Sequence, residues 1–516
     1  MKCLTNNGVF VSLESADTSF GYGNFEGNNC RIEVSKLLMV YRYNPFNVYL
    51  KADALFYTFS DGSEQTDKLV YKVDGEWDKF TLEKPFMKDV KSEELQYYEF
   101  INLPNDKEIY YNKNAKVVSL RKKVYDEDDL QNFIDGIESG NKGTEDNPTS
   151  VDLPSGGAVV GGNVDFGSGK DGDDLQAFID GEKDDGSNKT VDLLGSGSLT
   201  IKRYTTLTLR NLNITNTGSG YIYVEGTLII DVNINISRIY RLIRVLPGGR
   251  VIWKGGSGTG TDITKEFIYV EKGGNLEYYG GTISGGEFGF HGYGTTYIYG
   301  GTIGGTKFGG YTYPSGTTTI SGGTVAGGYY NGGITYVTGG TFLGGGTGTG
   351  SHVYHNGKGG TTTITGGTFG NNGSGTIYNE GNLNFGGDGY TYNVIYNGSS
   401  GRIYILGKLN IILRIHISIT DIVLDTPIIL GGDGYVLTED DIKKIQIVLP
   451  NGYSWKYDSD LGGIIIISTT GINSVTSDNS TSSHYYDISG RKLDKMQKGI
   501  NIVKSSNGKT RKVVIK

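Results

Sequence analysis

The sequence is poor in cysteine and proline, and it contains no long apolar segment. Its 516 residues include two cysteines, Cys3 and Cys30, which excludes a disulfide framework and a cysteine-rich metal site. Nine prolines are too few for a collagen-like chain or a proline-rich linker. No apolar run reaches the roughly 18 residues that a transmembrane helix needs, so we expect no transmembrane segment.

Basic residues are fewer than acidic residues, 48 against 56. The formal net charge is −8 at pH 7, which argues against a general nucleic-acid binder held by phosphate contacts. The N-terminus, Met1–Asn7, lacks the apolar core of a secretory signal peptide. The protein is therefore expected either to stay inside the cell or to have an export signal that is not present in this chain.

Glycine and tyrosine are abundant, and the glycines follow a repeat. The chain has 83 glycines and 37 tyrosines. Within residues 196–468, an apolar strand, a glycine-containing turn and a second strand recur, and the second strands begin at 227, 250, 275, 295, 317, 334, 361, 382 and 402, a mean step of about 22 residues. A repeat of this length without helical periodicity fits one coil of a parallel β-helix. The leucine-rich consensus is absent, and a β-propeller would need two units for each blade.

Five repeats share the sequence Gly-Gly-Thr followed by an apolar residue, at Gly280–Ile283, Gly300–Ile303, Gly322–Val325, Gly339–Phe342 and Gly366–Phe369. Because successive side chains of a strand point to opposite faces of the sheet, each position near the glycine pair can be assigned to the interior or to the outer face. The predicted interior stacks are Tyr278, Ile298, Ile320, Val337 and Ile364, and Ile283, Ile303, Val325, Phe342 and Phe369. The predicted outward residues are Glu277, Tyr297, Thr319, Tyr336 and Thr363, and Tyr279, Tyr299, Ser321, Thr338 and Thr365; Thr282, Thr302, Thr324, Thr341 and Thr368 should form a ladder.

The remaining segments suggest smaller units on either side. Residues 1–125 alternate apolar and polar positions between turns and predict a small β-rich domain. Residues 126–195 contain a duplication, Asp128–Asp135 and Asp173–Asp180, in which Leu, Phe and Ile at i, i+3 and i+4 predict a short amphipathic helix in each copy. We interpret this segment as an N-terminal cap of the β-helix. Residues 469–483 form a polar linker, and residues 484–516 a small C-terminal β domain.

The C-terminal domain contains three ordered blocks, Tyr485–Arg491, Lys498–Val503 and Lys512–Lys516. They resemble the C-terminal sorting domain of Bacteroidetes proteins that leave the cell by type IX secretion. Asn501 replaces the tyrosine that is commoner in that pattern. The resemblance covers about 32 residues and implies a secreted or cell-surface protein whose tail is recognised by the secretion machinery.

The repeat region resembles the right-handed parallel β-helix of pectin-lyase-like proteins, and this predicts an all-β solenoid with short capping helices. Enzymes of that fold need clustered carboxylates. Residues 251–401 contain seven acidic residues, which do not align in one column of adjacent coils: Asp262, Glu266, Glu271, Glu277, Glu287, Glu380 and Asp388. A polysaccharide lyase or glycoside hydrolase is therefore the alternative function, with no catalytic residue assigned.

Histidine offers little support for a metal site or a cofactor. His352 and His355 are three residues apart and would face opposite sides of a strand, and His291 stands alone. We therefore predict that His352 and His355 are surface histidines on a loop, and we predict no metal and no cofactor.

Outward tyrosines are the candidate binding residues. Tyr297, Tyr299 and Tyr336 are amphipathic rings separated by threonine and asparagine, and Tyr311, Tyr313, Tyr329 and Tyr330 lie nearby in the sequence. Exposed rings of this kind suit stacking on sugars or protein adhesion, although tyrosine also packs well on any strand surface. The sequence thus predicts adhesion or a binding scaffold, with an extracellular glycan or a host or bacterial surface protein as its partner.

Overall fold

The computed structural model describes residues 80–100, 103–238, 242–260, 265–344, 352–370, 376–386, 394–410, 412–417, 422–469, 483–505 and 510–515, together with five short strands within residues 2–71. The chain divides into two compact units. One comprises residues 1–130 and 152–159, and the other comprises residues 131–151 and 160–516. In both units the described residues are mostly β-strand, as the sequence predicts.

The first unit contains the expected small β-rich domain. Its six-stranded sheet has the order Phe10–Ser12, Lys2–Leu4, Arg31–Val34, Leu55–Thr58, Leu69–Tyr71 and Tyr98–Phe100, and a short 3-10 helix, Ser92–Tyr97, precedes the last strand. A separate hairpin pairs Lys107–Asn112 with Val117–Lys122. In this hairpin Arg121 donates from Nε to Glu108 at 2.8 Å, and both side chains are largely buried.

The first copy of the duplication forms the predicted helix, Glu127–Glu138. Glu127, Asp128 and Asp129 occupy its first turn, where negative charge interacts favourably with the helix dipole. Leu130 and Ile134 are buried, as the apolar pattern requires.

The second copy is not a helix, and that prediction is wrong. Leu175–Asp180 is a β-strand that pairs in parallel with Thr205–Arg210. Leu175, Ala177 and Ile179 are buried in strict alternation. Ala177 stands where the first copy has Asn132, so the second copy can place every other residue in an apolar interior. Pairing with the next coil then outweighs the local helical pattern.

Three long sheets build a parallel β-solenoid of about ten turns, because each strand pairs with the equivalent strand of the next coil. Sheet A consists of Ala158–Val160, Lys189–Leu193, Leu212–Asn216, Asn235–Arg238, Ser257–Gly260, Thr282–Gly285, Thr302–Gly304, Thr324–Ala326, Thr341–Leu343 and Thr368–Phe369. Sheet B consists of Asn163–Phe166, Ser198–Ile201, Ile222–Val224, Ile243–Val245, Glu266–Val270, Phe288–Gly292, Phe308–Thr312, Tyr329–Asn331, Tyr354–Asn356, Thr376–Asn379, Val394–Asn397, Leu413–Ile417 and Ile445–Val448.

Sheet C contains the second strand of every predicted repeat. Its members are Thr149–Ser150, Leu175–Asp180, Thr205–Arg210, Thr227–Ile230, Arg250–Trp253, Asn275–Tyr278, Thr295–Ile298, Thr317–Ile320, Ile334–Val337, Thr361–Ile364, Asn382–Phe385, Arg402–Ile405, Pro427–Gly431, Gly463–Ser468 and Tyr453–Asp458. All nine predicted start positions, from 227 to 402, are confirmed. One continuous sheet of this length excludes the four-stranded blades of a propeller.

The Gly-Gly-Thr sequence marks the corner at which each coil passes from sheet C to sheet A. The second glycine of each pair has a positive φ, from 70° at Gly301 to 97° at Gly367. The first glycine lies against the preceding coil: a Cβ on Gly300 would be 2.3 Å from the carbonyl oxygen of Tyr279. One glycine is therefore required by backbone conformation and the other by close approach. The next residue is the threonine of the predicted ladder, and its register across five coils is confirmed.

The interior is apolar where the repeat alignment predicts it. All ten residues of the two predicted stacks are at most 2% exposed. The later coils also enclose polar rows that the alignment does not predict. One is the threonine row Thr296, Thr318, Thr335 and Thr362, and the other is the asparagine ladder Asn331, Asn356, Asn379 and Asn397. Each of the first three asparagines donates to the Oδ1 of the next one at 2.7–2.9 Å.

The last coils end the solenoid with an antiparallel hairpin. Gly463–Ser468 pairs with Pro427–Gly431 on one side and with Tyr453–Asp458 on the other. A one-turn helix, Glu439–Lys444, carries the buried Asp441, which accepts hydrogen bonds from Leu409 N, Thr438 and Tyr435.

The C-terminal segment forms its own four-stranded antiparallel sheet, ordered Lys492–Leu493, Ser483–Asp487, Gly499–Ser505 and Thr510–Ile515. Two of these strands overlap the sequence blocks Lys498–Val503 and Lys512–Lys516. Nearly all of the predicted linker at 469–483 lies outside the described residues.

Candidate functional site

The predicted tyrosines lie on the outer face of sheet C, where they form part of a cluster. Tyr297 and Tyr299 are two residues apart on one coil, with ring centroids 6.0 Å apart and planes inclined by 9°. Tyr279, one coil earlier, stacks on Tyr299 with centroids 4.6 Å apart. Tyr279 is 46% exposed and Tyr299 is 43% exposed. We call Tyr279, Tyr297, Tyr299 and Tyr336 the tyrosine cluster.

Tyr336 belongs to the same outward row but does not contact the other rings in the described geometry. Its register partner is Thr319, which in turn pairs with Tyr297. Two strand spacings of roughly 4.8 Å therefore separate Tyr336 from Tyr297. Tyr336 is 44% exposed. The structure thus brings two of the three predicted site residues together and adds Tyr279, which the sequence places outward without assigning it to the site.

A carboxylate fixes one end of the cluster. Tyr279 donates its hydroxyl to Glu277 Oε2 at 3.1 Å, and Arg250 donates to both oxygens of Glu277 at 2.7 and 2.9 Å. The Arg250 hydrogen bonds lower the pKa of Glu277, although burial opposes them. The bond to Glu277 raises the pKa of Tyr279. The ring of Tyr279 is therefore oriented in its neutral form, with one face against Tyr299.

A second aromatic surface runs along the outside of sheet B. Its register places one aromatic or histidine side chain on each of eight successive strands: Tyr269, His291, Tyr311, Tyr330, His355, Tyr378, Tyr396 and His416. Tyr311 stacks on Tyr330 with centroids 4.4 Å apart. Burial raises the pKa of Tyr311. These rings are mostly half-buried and cover one another, so we assign this row to packing.

Sequence reasoning missed the sheet B row and misplaced one of its neighbours. Tyr329, predicted among the nearby outward rings, is fully buried. Its hydroxyl lies 2.6 Å from Thr312 Oγ1 and 3.1 Å from Thr335 Oγ1 inside the solenoid. Tyr329 and Tyr330 are adjacent on one strand and must face opposite ways. Asn331 is the signal that could have shown which ring is buried. It aligns with Asn356 in the buried asparagine ladder, and Tyr329, two residues earlier on the same strand, shares its face.

The acidic residues considered for catalysis are dispersed among ion pairs. Glu271 pairs with Arg244, Glu277 with Arg250, and Glu287 with Lys307, at 2.5–2.8 Å. Glu380 Oε2 lies 3.1 Å from His355 Nε2. Glu266 is buried, and Asp262 and Asp388 lie outside the described residues. Each of the acids in these pairs therefore faces its own base.

The histidines also occupy aromatic surroundings. His352 stacks on Tyr378 with centroids 5.1 Å apart, and burial lowers the pKa of His352. His291 is 3.9 Å from the centroid of Phe288. Across the described ranges, no group of three His, Cys, Asp or Glu residues is arranged to hold a metal ion.

No helix in the described part of the chain is both long and apolar enough to cross a membrane. The comparisons with known proteins return no match among family models, curated proteins or solved structures.

Proposed function

We propose that the protein is a secreted or cell-surface scaffold that binds an extracellular glycan through the tyrosine cluster of sheet C. The observation that carries the proposal is the geometry of Tyr279, Tyr297 and Tyr299: three rings held nearly parallel on a rigid parallel sheet, two of them more than 40% exposed. Aromatic rings with a polar tip supply large contact area at low conformational cost, which suits recognition of sugars and of protein surfaces.

Charge around the cluster favours an uncharged ligand. The nearest ionised pair, Arg250 and Glu277, is mutually satisfied, and Thr319 separates Tyr297 from Tyr336 with a hydroxyl. An acidic polysaccharide would require a free cation at this face. The glycan expected here is therefore a neutral one that stacks on the rings and hydrogen-bonds to the tyrosine hydroxyls.

The cellular location rests on the C-terminal tail. The described strands between residues 483 and 515 form a sheet of their own, and from Ile500 to Lys516 the chain has four lysines and one arginine but no acid. Such charge asymmetry on an acidic protein suits a segment with a separate partner. The resemblance to a type IX sorting domain makes that partner the secretion machinery of a Bacteroidetes-like outer membrane.

A glycan array probed with the purified protein tests the binding function. The panel contains neutral and acidic polysaccharide fragments, and each retained glycan is also incubated with the protein to measure chain shortening. We expect retention of neutral glycans without shortening, and loss of retention when Tyr297, Tyr299 and Tyr336 are replaced together by Ser. Retention unchanged in that variant would overturn the assignment of the site. Shortening would favour the polysaccharide lyase or glycoside hydrolase.

A further inference from the structure

A second polar site lies on the early coils, at the corners between sheet C and sheet A. An open cleft of about 730 Å³ is lined by Asn188, Asn211, Asn213, Asn233, Asn235 and Ser257, among others. One wall is the hairpin turn at 182–188, which is closed by a backbone hydrogen bond from Lys183 N to Ser187 O at 2.8 Å and by an antiparallel bridge between Glu182 and Asn188. We call this the asparagine cleft.

The cleft exists because the early corners use asparagine where later corners use glycine. Asn211 and Asn233 have φ values of 48° and 56°, and the corresponding corners of the next coils have Gly256 at 83° and Gly281 at 80°. Asparagine is among the few residues that accept this left-handed conformation. Glycine meets the backbone requirement at less cost, so the left-handed conformation alone does not explain the amide groups at these two positions.

The amides are held in place by one another. Asn233 Nδ2 donates to Asn211 Oδ1 at 3.0 Å, and Asn235 Nδ2 donates to Asn213 Oδ1 at 3.3 Å. Ser257 Oγ donates to Asn235 Oδ1 at 2.7 Å. An asparagine amide has two N–H donors and two acceptor lone pairs, and these contacts use one of each on Asn235. The second donor and the second lone pair remain for a ligand.

We propose that the asparagine cleft binds a neutral oligosaccharide, independently of the tyrosine cluster. Neighbouring amides that each offer a donor and an acceptor match the vicinal hydroxyl groups of a sugar. Val232, 55% exposed at the cleft, supplies an apolar surface for the C–H face of a sugar ring. Among the described residues that line the cleft, Glu182 is the one charged side chain, and its carboxylate disfavours anionic sugars.

The register of sheet A supplies substitutions that the fold already tolerates. Asn213 and Asn235 align through Ser257 with Thr282, the first residue of the threonine ladder. The variant Asn211→Gly/Asn213→Thr/Asn233→Gly/Asn235→Thr therefore installs residue types that later coils use in the corner and on the strand. It removes four amides and should leave the melting temperature within a few degrees of the parent.

The test is calorimetric titration with cellohexaose, mannohexaose and xylohexaose as neutral probes and a galacturonate hexamer as the acidic probe. All proteins carry Tyr279→Ser, Tyr297→Ser, Tyr299→Ser and Tyr336→Ser, so that binding to the tyrosine cluster does not contribute. We expect at least one neutral hexasaccharide to bind, the acidic hexamer not to bind, and the four-residue cleft variant to lose at least tenfold in affinity.

Three results would overturn the proposal: no neutral hexasaccharide binds, the acidic hexamer binds more tightly than the neutral probes, or the cleft variant binds as the parent does. Should the cleft variant melt early, Ser187→Trp provides the second test. Ser187 is exposed on the hairpin wall, and an indole there would fill the cleft without altering a corner. This variant should also lose at least tenfold in affinity. The glycan array tests the tyrosine cluster separately, so failure of the cleft proposal in these titrations would leave the proposed function of the tyrosine cluster standing.

Discussion

Asn356 donates its side-chain N–H to Oδ1 of Asn379 on the next coil, at 2.8 Å, in the interior of the solenoid. Asn356 also donates to the backbone carbonyl of Asn382 at 3.0 Å and accepts from Asn331 and Thr362 at 2.9 Å. The amide is therefore saturated by groups from four strands. Its role is to join coils by side-chain bonds in addition to the backbone ladders.

Asn356→Ala should strongly destabilise the protein. The substitution removes the hydrogen bonds that the Asn356 side chain makes with Asn331, Thr362, Asn379 and the Asn382 carbonyl. Each buried group left unsatisfied costs about 1–3 kcal/mol. We expect a loss of several kcal/mol in the free energy of unfolding, measured by urea denaturation. Asn384→Ala is the matched control, since Asn384 is half-buried and donates one bond to Thr363 at 3.1 Å. Equal losses in the two variants would contradict the structural role of the ladder.

Ile320→Asp and Thr319→Asp test the assignment of faces in sheet C. Ile320 is fully buried between Ile298 and Val337, whereas its neighbour Thr319 lies on the outer face. An unpaired carboxylate in the interior costs several kcal/mol or is forced to protonate. The midpoint of urea unfolding should fall sharply for Ile320→Asp and little for Thr319→Asp. Similar midpoints in both variants would refute the alternation.

Asp441 should make the last coils sensitive to acid. Burial would raise the pKa of Asp441, but hydrogen bonds from Thr438, Tyr435 and the Leu409 backbone outweigh it and lower the pKa to about 2. The folded pKa lies below the unfolded value of roughly 3.9, so the charged form stabilises the fold above that value and this stability is lost as pH falls toward 2.

Asp441→Asn should therefore cost about 2–3 kcal/mol at pH 7, since hydrogen bonds to a charged group are worth about that much. The difference in unfolding free energy between the parent protein and the variant should shrink as the pH falls from 6 to 2.5. Asp433→Asn, a change in an exposed turn of the same region, serves as the control. A difference that stays constant with pH would show that the Asp441 carboxylate is not stabilising in its charged form.

The tail should be separable from the solenoid. Truncation after residue 482 removes the sheet that begins at Ser483 and leaves the hairpin Tyr453–Asp458 and Gly463–Ser468 intact. The far-UV spectrum and melting temperature of the β-helix should change little. In a host with type IX secretion and a complete export signal, the truncated protein should remain in the periplasm. A large fall in melting temperature would make the tail a structural cap, and normal surface display would refute the proposed sorting role.

Much of the solenoid could be predicted from sequence because two local signals agree. Glycine pairs mark the corner, and apolar residues such as Ile298 and Ile303 fall at fixed distances on either side of it. The polar interior could not be predicted this way. Thr318 is buried and Thr319 is outward, so residue type alone does not distinguish them. Leu175–Asp180 was mistaken for a helix because the pairing partner that makes it a strand begins at Thr205, in the next coil.

The candidate site, like the solenoid, could be predicted only in part from the sequence. The period of two placed Tyr297 and Tyr299 on one face, and alignment on the glycine pair placed Tyr279 beside Tyr299. The sheet B row was hidden because the loops before it differ in length, so no common spacing connects Tyr311, Tyr330 and His355. The asparagine cleft was hidden for a different reason: its residues come from corners that lack the Gly-Gly signature.

The most direct test of the account is the affinity of a retained glycan for Tyr299→Ser and Tyr299→Phe, measured beside their melting temperatures. Phenylalanine keeps the ring stacked on Tyr279, while serine removes it. If the exposed ring binds ligand, Tyr299→Ser should weaken the affinity at least tenfold, about 1.4 kcal/mol, while Tyr299→Phe stays within a few-fold of the parent and both variants melt within a few degrees of it. Unchanged affinity in Tyr299→Ser, or a melting temperature that collapses with the affinity, would contradict a binding role for the cluster.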